Sequence, residues 1–489
     1  MNKAGSGLSF RWIRKKEEIY MTVQQANPLG YERVSKLLMK FAIPSIVAML
    51  VSSLYNIVDQ IFIGQGVGVL GNAATTVAFP FTTICLALAL LLGVGSATCY
   101  SLYLGENKPD KAANIVGNGL IVMTIVGLLY LVIGESCMNV MLPWFGSTAD
   151  NFAYAAEYSR IILIGMPFLI LSNGLSNLCR ADGSPNYSMT CMIIGAIINC
   201  ILDPLFIFVF KWGMSGAAWA TIIGQIISCL FATRYIKMFK HVSLTKEHFR
   251  LNPQATLQTV KLGLTPSLNQ LCILIIQVVL NNSLRHYGML SIYGADIPIA
   301  SCGIAMKLNG LFISVLVGLS QGTQPIIGFN YGAKNYLRVK KTVLQALTII
   351  VTMGVLVELL FQFFPEQLVL MFGPGDELYV DFSTKFLRIY LSTICITGIQ
   401  AQASNYFSSI GQPGKGVFLS VSRQVLFAVP LVLIFPMWWG IDGILYTQPV
   451  ADVLAMVISI IMLVISFRKL NKMEAEKEAG SNKETADAL

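Results

Sequence analysis

The stretch FAIPSIVAMLVSSLYNIVDQIFI, residues 41–63, decides the fold class of this chain because it contains one charged residue, Asp59, in 23 positions. A helix of about 20 apolar residues spans the ~30 Å hydrocarbon core of a bilayer. Across the whole chain 12% of residues are charged and 55% are hydrophobic, whereas about 25% are charged in a typical soluble domain. The sequence therefore predicts an integral membrane protein.

Similar apolar stretches recur along nearly the whole chain. Lipid cannot satisfy the open edge of a sheet, and the alternating pattern of a transmembrane barrel is absent, so each stretch is predicted to be a helix. The expected fold is an all-α polytopic membrane protein with twelve transmembrane helices, which we place at 36–62, 77–104, 113–134, 158–178, 187–210, 214–238, 259–282, 297–320, 339–363, 386–408, 416–436 and 444–467.

Basic residues concentrate in every second predicted loop, the pattern that sets orientation in a membrane. We expect these loops to face the cytoplasm, and an even number of spans then places both termini there, in a multi-pass protein of the cell membrane. The net charge of +9 is attributed to this orientation and not to nucleic-acid binding. The basic set is Lys108, Lys111, Arg180, Arg234, Lys237, Lys240, Lys246, Arg250, Lys261, Lys334, Arg338, Lys340, Lys341 and Lys415, and the opposite loops carry Arg160, Lys211, Arg285, Lys385 and Arg388 beside the acids Glu135, Asp150, Glu157, Glu366, Asp376, Glu377 and Asp381.

Features of the first half return in the second half at a shift of 222 to 228 residues. Each copy holds six spans, so the halves are expected to enter the membrane in the same sense, related by a pseudo-two-fold axis along the membrane normal. Asp59 aligns with Asn281 and Asp203 with Pro430, which indicates that the halves differ in function. The repeated sites are Pro44 and Pro266, Gly105 and Gly332, Arg160 and Arg388, Gly183 and Gly411, Pro185 and Pro413, and Gly216 and Gly443.

The chain is divided into five parts on this basis. Two bundles that face a central cleft suit a carrier that works by alternating access. The amino-terminal part lacks the features of a secretory signal, and either Met1 or Met21 is its start. The parts are a basic cytoplasmic segment (1–35), the N-lobe (36–238), a cytoplasmic linker (239–258), the C-lobe (259–467) and a charged cytoplasmic tail (468–489).

Polar residues form stripes on three helices of the N-lobe. An ionised carboxylate inside a membrane costs several kcal/mol, so Asp59 and Asp203 indicate a functional site. Residues three or four apart share a helix face, and three such rows should therefore meet in the interior. They are Ser52, Tyr55, Asn56 and Asp59 on the first helix, Asn199 and Asp203 on the fifth, and Thr221, Gln225 and Ser228 on the sixth.

Two kinds of ion suit this set of groups. Oxygen ligands fit a hard cation such as Na⁺, and two adjacent carboxylates fit a shared proton. A purely structural interpretation, in which the acids hydrogen-bond neighbouring helices, is less favoured because an amide or a hydroxyl does this without the cost of a charge.

Further polar residues have more than one interpretation. Pro44 permits a bend of the first helix, either as a response to Asp59 or as a static kink. Lys307 either pairs with an acid or extends to the interface, Arg423 is expected to extend to the interface, and Asp452 beside Gln448 is a second polar site. Two rows either line the cleft or join helices, namely Gln270, Gln277 and Asn281, and Thr393, Thr397, Gln400 and Ser404.

Enzymatic motifs are missing from the sequence. There is no P-loop, so ATP is not expected as the energy source. The three histidines lie in predicted loops without metalloprotease spacing, and the ten scattered cysteines are interpreted as small core residues. We expect neither an enzyme nor a cofactor.

Three motifs resemble signatures of the multidrug and toxic compound extrusion (MATE) family. They are NIVDQIFIGQ (56–65), LCRADGSPNYSM (178–189) and GLSQGTQPIIGFNYGAKN (318–335), in order within a resemblance that covers residues 30 to 468. The resemblance implies a V-shaped pair of six-helix lobes in the inner membrane. It also implies a monomer that exports cationic drugs or metabolites, with antibiotic resistance as the outcome, in exchange for Na⁺ or H⁺.

The resemblance also assigns roles to residues. The N-lobe acidic site of the DinF-like branch falls on Asp59, Asn199, Asp203 and Thr221, the group that helix spacing also selects. Substrate contacts are expected at Tyr55 and Asn173, with Asn56 and Gln225 beside them, and a helix bend at Pro44. The NorM-like branch has acids on the seventh and tenth helices, which are absent here, so the chain is placed with DinF-like or MepA-like bacterial members.

The predicted function is that of an antiporter that exports cationic amphipathic compounds, coupled to Na⁺ or H⁺ at the N-lobe carboxylates. The alternative within the same superfamily is a flippase for a lipid-linked sugar precursor, which requires a large cationic cavity for pyrophosphate. A third interpretation is a membrane-embedded enzyme or a receptor that does not transport.

Overall fold

The computed structural model describes residues 27–486, apart from 146, 148–150, 295 and 372–375. This part of the chain is nearly all helical and contains no strand. Most of the predicted surface segment 1–35 lies outside the described residues, as do Asp150 and the last three residues of the tail. The all-α fold class predicted from the sequence is confirmed.

In the part of the chain that the structure describes, twelve helices cross the molecule. Ten helices in the described ranges are long and apolar enough to span a membrane. One of these, Pro413–Ala479, contains two spans because the chain turns at Gly440, where φ is +58°. The tenth predicted span consists of two shorter helices, Glu377–Tyr390 and Ile394–Ser409. The predicted bundle of twelve is therefore confirmed.

The helices group into two lobes of six, which we call the N-lobe (α1–α6) and the C-lobe (α7–α12). The N-lobe contains α1 Val34–Gly66, α2 Val69–Gly105, α3 Pro109–Trp144, α4 Phe152–Ala181, α5 Pro185–Pro204 with the π-helical segment Leu205–Val209, and α6 Gly213–Arg234. The C-lobe contains α7 Pro253–Met289, α8 Asp296–Gly332, α9 Tyr336–Phe363, α10 Glu377–Tyr390 and Ile394–Ser409, α11 Pro413–Val421 with its continuation through the π-helical segment Ser422–Ala428 to 439, and α12 at 441–486. Short helices lie at Pro28–Tyr31, Tyr235–Met238, Lys246–His248 and Pro365–Leu370.

The repeated sequence sites form repeated turns. Gly183 before α5 and Gly411 before α11 have φ values of +82° and +78°, which glycine adopts without steric cost. Pro185 and Pro413 then occupy the first turn of α5 and α11, where proline has no N–H to leave unpaired. The same local chemistry therefore reverses the chain at equivalent points in both lobes.

The outer faces of the lobes are apolar. On α3, for example, Leu128, Leu129, Val132 and Ile133 are all more than half exposed. A run of large exposed apolar side chains is unfavourable in water but suits contact with lipid tails. The interior of each lobe contains its own apolar cores, which include Phe386 in the C-lobe.

The lobes are joined toward the end of the bundle where both chain ends lie, which we call the termini end. There Asn330 of α8 donates to the backbone oxygen of Leu29, which precedes α1, over 2.9 Å. Within the C-lobe, Glu474 of the tail accepts from the backbone N–H of Tyr336 over 3.1 Å at the same end. α2 meets α7 and α8 so closely that a Cβ atom on Gly105 would lie 2.1 Å from the backbone oxygen of Phe329. Similar contacts join Gly95 to Thr259 and Gly263 to Leu91.

Asp182, in the RADG stretch after α4, anchors the chain that connects the lobes. Its fully buried carboxylate accepts hydrogen bonds from the hydroxyls of Tyr100 and Tyr235, over 2.5 and 2.8 Å. It also accepts from the backbone N–H groups of Lys240 and His241, over 2.7 and 3.3 Å. Asp182 therefore fixes the position of the backbone at Lys240 and His241, where the chain leaves the N-lobe.

Candidate ion and substrate site

The polar side chains predicted on α1, α5 and α6 meet inside the N-lobe. Asn199 on α5 donates through Nδ2 to Asp203 Oδ1 and to Thr221 Oγ1 on α6, each over 3.3 Å. The carboxyl group of Asp59 on α1 lies close enough to that of Asp203 for the two groups to influence each other electrostatically. These four residues, which we call the carboxyl cluster, combine two carboxyl groups, an amide and a hydroxyl.

The two carboxyl groups of the cluster are buried or partly buried and have no basic partner in the described residues. Asp203 is 0% exposed and Asn199 2%, and Asp59 and Thr221 are partly buried. Within the described ranges, no Lys, Arg or His forms an ion pair with either carboxyl group. Because an isolated buried carboxylate is costly, the pair requires a proton or a cation for neutralisation.

Four oxygen atoms in and beside the cluster are buried without a hydrogen-bond donor among the residues that the structure describes. They are Asp59 Oδ1, Asn199 Oδ1, Asp203 Oδ2 and Gln225 Oε1. Buried polar atoms are paired in the great majority of cases. Carboxylate and amide oxygens are ligands of hard cations, and a proton on one carboxyl group would let it donate to the other. The donor set therefore fits either ion.

The backbone of α5 changes its helical form next to the cluster. Asp203 is followed by Pro204, which lacks an N–H group, and then by the π-helical segment Leu205–Val209. Single π turns occur frequently at functional sites because they change the register of the side chains on either side. The regular α-helical hydrogen bonding of α5 thus ends next to Asp203.

A cavity of about 580 Å³ lies between the lobes beside the cluster. All the substrate residues predicted in the N-lobe line it: Tyr55, Asn56, Asn173 and Gln225, together with Asn199 and Thr221. The two carboxyl groups are not part of the lining and lie behind it. Ligands in the cavity therefore meet the amide and the hydroxyl first.

The C-lobe wall of this cavity contains a charged residue to which sequence reasoning gave no role in the cleft. Lys307 on α8 lines the cavity with Gln270, and it also lines a second cavity of about 420 Å³ with Gln60 of α1. In the described residues Lys307 has no ion-pair partner. Of the two alternatives left open for Lys307, pairing with an acid finds no counterpart among these residues, and its side chain faces the cleft. The signal that could have found it is the face of α8 that is turned toward α1, because Lys307 lies on that face.

The predicted second polar site in the C-lobe is a closed ion-pair network. Asp452 on α12 is 3% exposed and accepts from Arg423 Nε over 2.8 Å. It also accepts from Thr397 Oγ1 over 2.8 Å, Thr393 Oγ1 over 3.0 Å and Gln448 Nε2 over 3.0 Å. The expectation that Arg423 extends to the interface is wrong because the guanidinium group is ion-paired inside the lobe.

The two polar rows of the C-lobe separate into different roles. Gln400 donates to the backbone oxygen of Leu419 over 2.9 Å, and Ser404 to that of Gly416 over 2.7 Å, so this row joins α10 to α11. Gln270, in contrast, lines the cavity.

Pro44 lies in the half of α1 nearer the termini end. α1 runs through it as one helix from Val34 to Gly66. The backbone around Pro44 packs against α8, where a Cβ atom on Gly318 would lie 2.6 Å from Ile46 Cα. In this structure α1 is thus supported by α8 around Pro44 and continues through the proline without a break.

Two six-helix lobes around a cavity with adjacent buried carboxyl groups are the architecture of a membrane transporter that works by alternating access. Residues 44–205 and 269–434, about two thirds of the chain, match the MatE family. The chain belongs to this family, which confirms the family predicted from the motifs. As a member, it is a transporter and not an enzyme.

The multidrug export protein MepA of Staphylococcus aureus is 26% identical over 420 residues, which cover 86% of this chain and 91% of the relative. The protein of the same name from Staphylococcus saprophyticus is 24% identical over 453 residues, 91% of this chain and 96% of the relative. Among solved structures, the outward-facing conformation of a multidrug resistance MATE family transporter of the MOP superfamily aligns with a TM-score of 0.85. The alignment covers 91% of this chain and 98% of the other at 24% identity, so it establishes the fold alone.

Proposed function

We propose that this protein is a secondary active multidrug efflux antiporter that exports cationic amphipathic compounds in exchange for Na⁺ or H⁺. The observation that carries the proposal is the proximity of Asp59 and Asp203, two carboxyl groups without a basic partner in the described part of the chain, next to a cavity of about 580 Å³. The names of the relatives support drug export.

The orientation follows from charge. The basic loops lie at the termini end, so the positive-inside rule places that end, with the linker 239–258, in the cytoplasm. The second cavity, which reaches Gly64 and Asn72 near the other end of α1 and α2, then lies toward the outside. We therefore assign this structure to an outward-facing state in the cytoplasmic membrane.

The transport cycle follows from competition for one negative site. In the outward-facing state Asp59 and Asp203 take up Na⁺ or H⁺, and the cluster loses its negative charge. A cationic substrate in the cavity is then no longer attracted to the cluster and leaves to the outside. After the lobes rock, the ion leaves to the cytoplasm and the recharged carboxylates attract substrate through the wall at Asn199 and Thr221. The difference in affinity between the two states is the coupling free energy.

The flippase alternative requires several basic groups to bind a pyrophosphate. Among the described residues that line the two cavities, Lys307 is the one basic side chain. We therefore retain the export of cations as the proposed function.

The test uses proteoliposomes that contain the purified protein and are loaded with a fluorescent organic cation such as ethidium. Movement of the dye across the membrane is measured. Sodium and pH gradients are imposed separately, and dye movement under one of them identifies the coupling ion. Asp203→Asn should abolish gradient-driven movement, because a neutral amide cannot alternate between an ion and a substrate. Asp381→Asn, which changes an exposed acid paired with Lys385 in the C-lobe, is the matched control and should transport normally. Undiminished gradient-driven movement by Asp203→Asn would refute the proposal.

A further inference from the structure

The cavity between the lobes has walls of opposite electrical character. Lys307 on α8 is the one charged side chain that lines either cavity in the described part of the chain. On the other side, Asp59 and Asp203 lie just behind the N-lobe lining formed by Asn199 and Thr221. A molecule in the cavity therefore lies between a positive group on one lobe and negative groups behind the other.

The position of Lys307 places its ammonium group in the ligand space. It is the twelfth residue of α8, roughly 16 Å along the helix from Asp296. Its side chain is exposed and lines both cavities, facing Ile57 and Gln60 of α1, so it is directed at the cleft and not at lipid.

A lysine is an expensive residue at this position. Leu311, one helical turn away on the same face, and the adjacent Met306 line the same cavity with apolar groups. A third apolar residue at 307 would close the wall equally well and would avoid the cost of an ammonium group within a transmembrane segment. Ionisable residues in such places mark substrate pathways and bind a partner of opposite charge.

We propose that Lys307 binds an oxyanion, a carboxylate or sulfonate, on an amphipathic zwitterion whose cationic end faces the N-lobe. The inference rests on the proposed function, because it takes the cavity as the substrate route, and it adds a second class of ligand to simple cations. A volume of about 580 Å³, with about 420 Å³ adjoining, accommodates a drug-sized molecule. A single ammonium group matches one oxyanion and leaves the opposite wall for the positive end.

The test compares two dyes that differ at one group, rhodamine B with a free carboxylate and rhodamine B ethyl ester without it. Affinities of both are measured by fluorescence polarisation with the full-length purified protein. Lys307→Gln should weaken rhodamine B binding about tenfold, the scale of a lost charge-assisted hydrogen bond. It should leave ester binding unchanged or improve it. Lys307→Arg should retain at least half of the preference for the carboxylate, and Lys385→Gln, an exposed lysine of the C-lobe, is the matched control.

The outcomes separate this inference from the proposed function. Equal changes in both dyes for Lys307→Gln, or no change in either, would overturn the role of Lys307. Displacement of rhodamine B by a similar concentration of dihexanoyl phosphatidylcholine would also overturn it, because the oxyanion would then belong to a lipid head group. Movement of the ester in proteoliposomes reports on the proposed function alone and does not depend on residue 307.

Discussion

Asn199 is the residue that connects the two parts of the proposed site. Its amide donates to Asp203 and to Thr221, and the last two lie on different helices. Asn199 and Thr221 line the cavity while the carboxyl groups lie behind them. A single hydrogen bond, from Asn199 to Asp203, therefore separates the carboxyl group of Asp203 from the cavity in which a ligand would bind.

Loss of the Thr221 hydroxyl should weaken ion binding without unfolding the protein. Thr221→Val keeps the shape of the side chain and removes one oxygen from the cluster, which corresponds to about 0.5–1.5 kcal/mol. We expect the coupling-ion concentration for half-maximal transport to rise about two- to tenfold. Thr190→Val on α5, whose exposed hydroxyl bonds only its own helix at Asn186, should behave as wild type. An identical ion dependence in Thr221→Val and wild type would show that the hydroxyl is not a ligand.

The Arg423–Asp452 pair should contribute stability and not coupling. Asp452→Ala would leave a buried guanidinium group without its partner, which costs about 3–5 kcal/mol. We expect a clear fall in the thermal unfolding midpoint of the purified protein. The double variant Arg423→Leu with Asp452→Leu should recover most of this loss, because it removes both charges together. If Asp452→Ala instead unfolds at the wild-type temperature and loses transport, the pair belongs to the transport machinery.

At the scale of elements, α1 and α8 are the two helices that meet across the lobes near Pro44. Gly318 and Gly322 of α8 lie against the backbone of α1 at Ile46 and Ala42. Glycine is required for this approach, since a Cβ atom on either would lie 2.6 to 2.8 Å from that backbone. α1 also carries Asp59, so its contact with α8 links the carboxyl cluster to the opposite lobe.

A methyl group at this contact should displace α1. Gly318→Ala forces a shift of a packed backbone, at a cost of about 1–3 kcal/mol. We expect a lower unfolding midpoint and slower transport. Gly303→Ala on the same helix is the matched control, since nothing lies within 4 Å of its added Cβ atom. Its stability should equal or exceed that of wild type, because alanine favours helix. Equal effects of the two substitutions would contradict the packing argument.

At the scale of the whole molecule, the lobes contact each other toward the termini end, and the two cavities extend from the centre toward the other end. Arg180 of the N-lobe donates to Gln321 of α8 over 2.7 Å, and Gln324 of α8 bonds Thr98 of α2. Alternating access requires these contacts to separate in the opposite state, since substrate must then reach the cavity from the termini end.

A disulfide across this contact should hold the protein in the state seen here. Thr98→Cys with Gln324→Cys, in a background whose ten cysteines are replaced by Ala or Ser, should stop transport on oxidation, with recovery on reduction. A third cysteine in place of Gln60, in the second cavity, should be labelled faster from outside when the disulfide is closed. Each single cysteine at 98 or 324 provides the control. Full transport by the oxidised protein would show that the lobes do not part there.

Much of the fold and part of the site were predictable because they depend on local sequence. The lengths of the apolar stretches predicted twelve spans, and the Gly183 and Pro185 repeat predicted equivalent turns in both halves. Helical spacing predicted that Asp59, Asn199, Asp203 and Thr221 share an interior. The pairing of Arg423 with Asp452 was missed because it depends on how α11 packs against α12.

The sequence by itself determined that this chain spans a membrane, that it has two similar halves, and that one half carries acids within its spans. These features follow from the sequence because the free energy of transferring a segment from water to lipid depends on its composition and on the periodicity of its apolar residues. Only the tertiary structure decided that the two carboxyl groups lie near each other behind the cavity wall, that Asp452 of the C-lobe is paired with Arg423, and that Lys307 faces the cleft. These outcomes depend on the rotation and depth of each helix against its neighbours. Packing between segments that are distant in the sequence sets the rotation and the depth of each helix. The apolar pattern of a single helix does not determine them, because lipid and the protein interior have similar polarity.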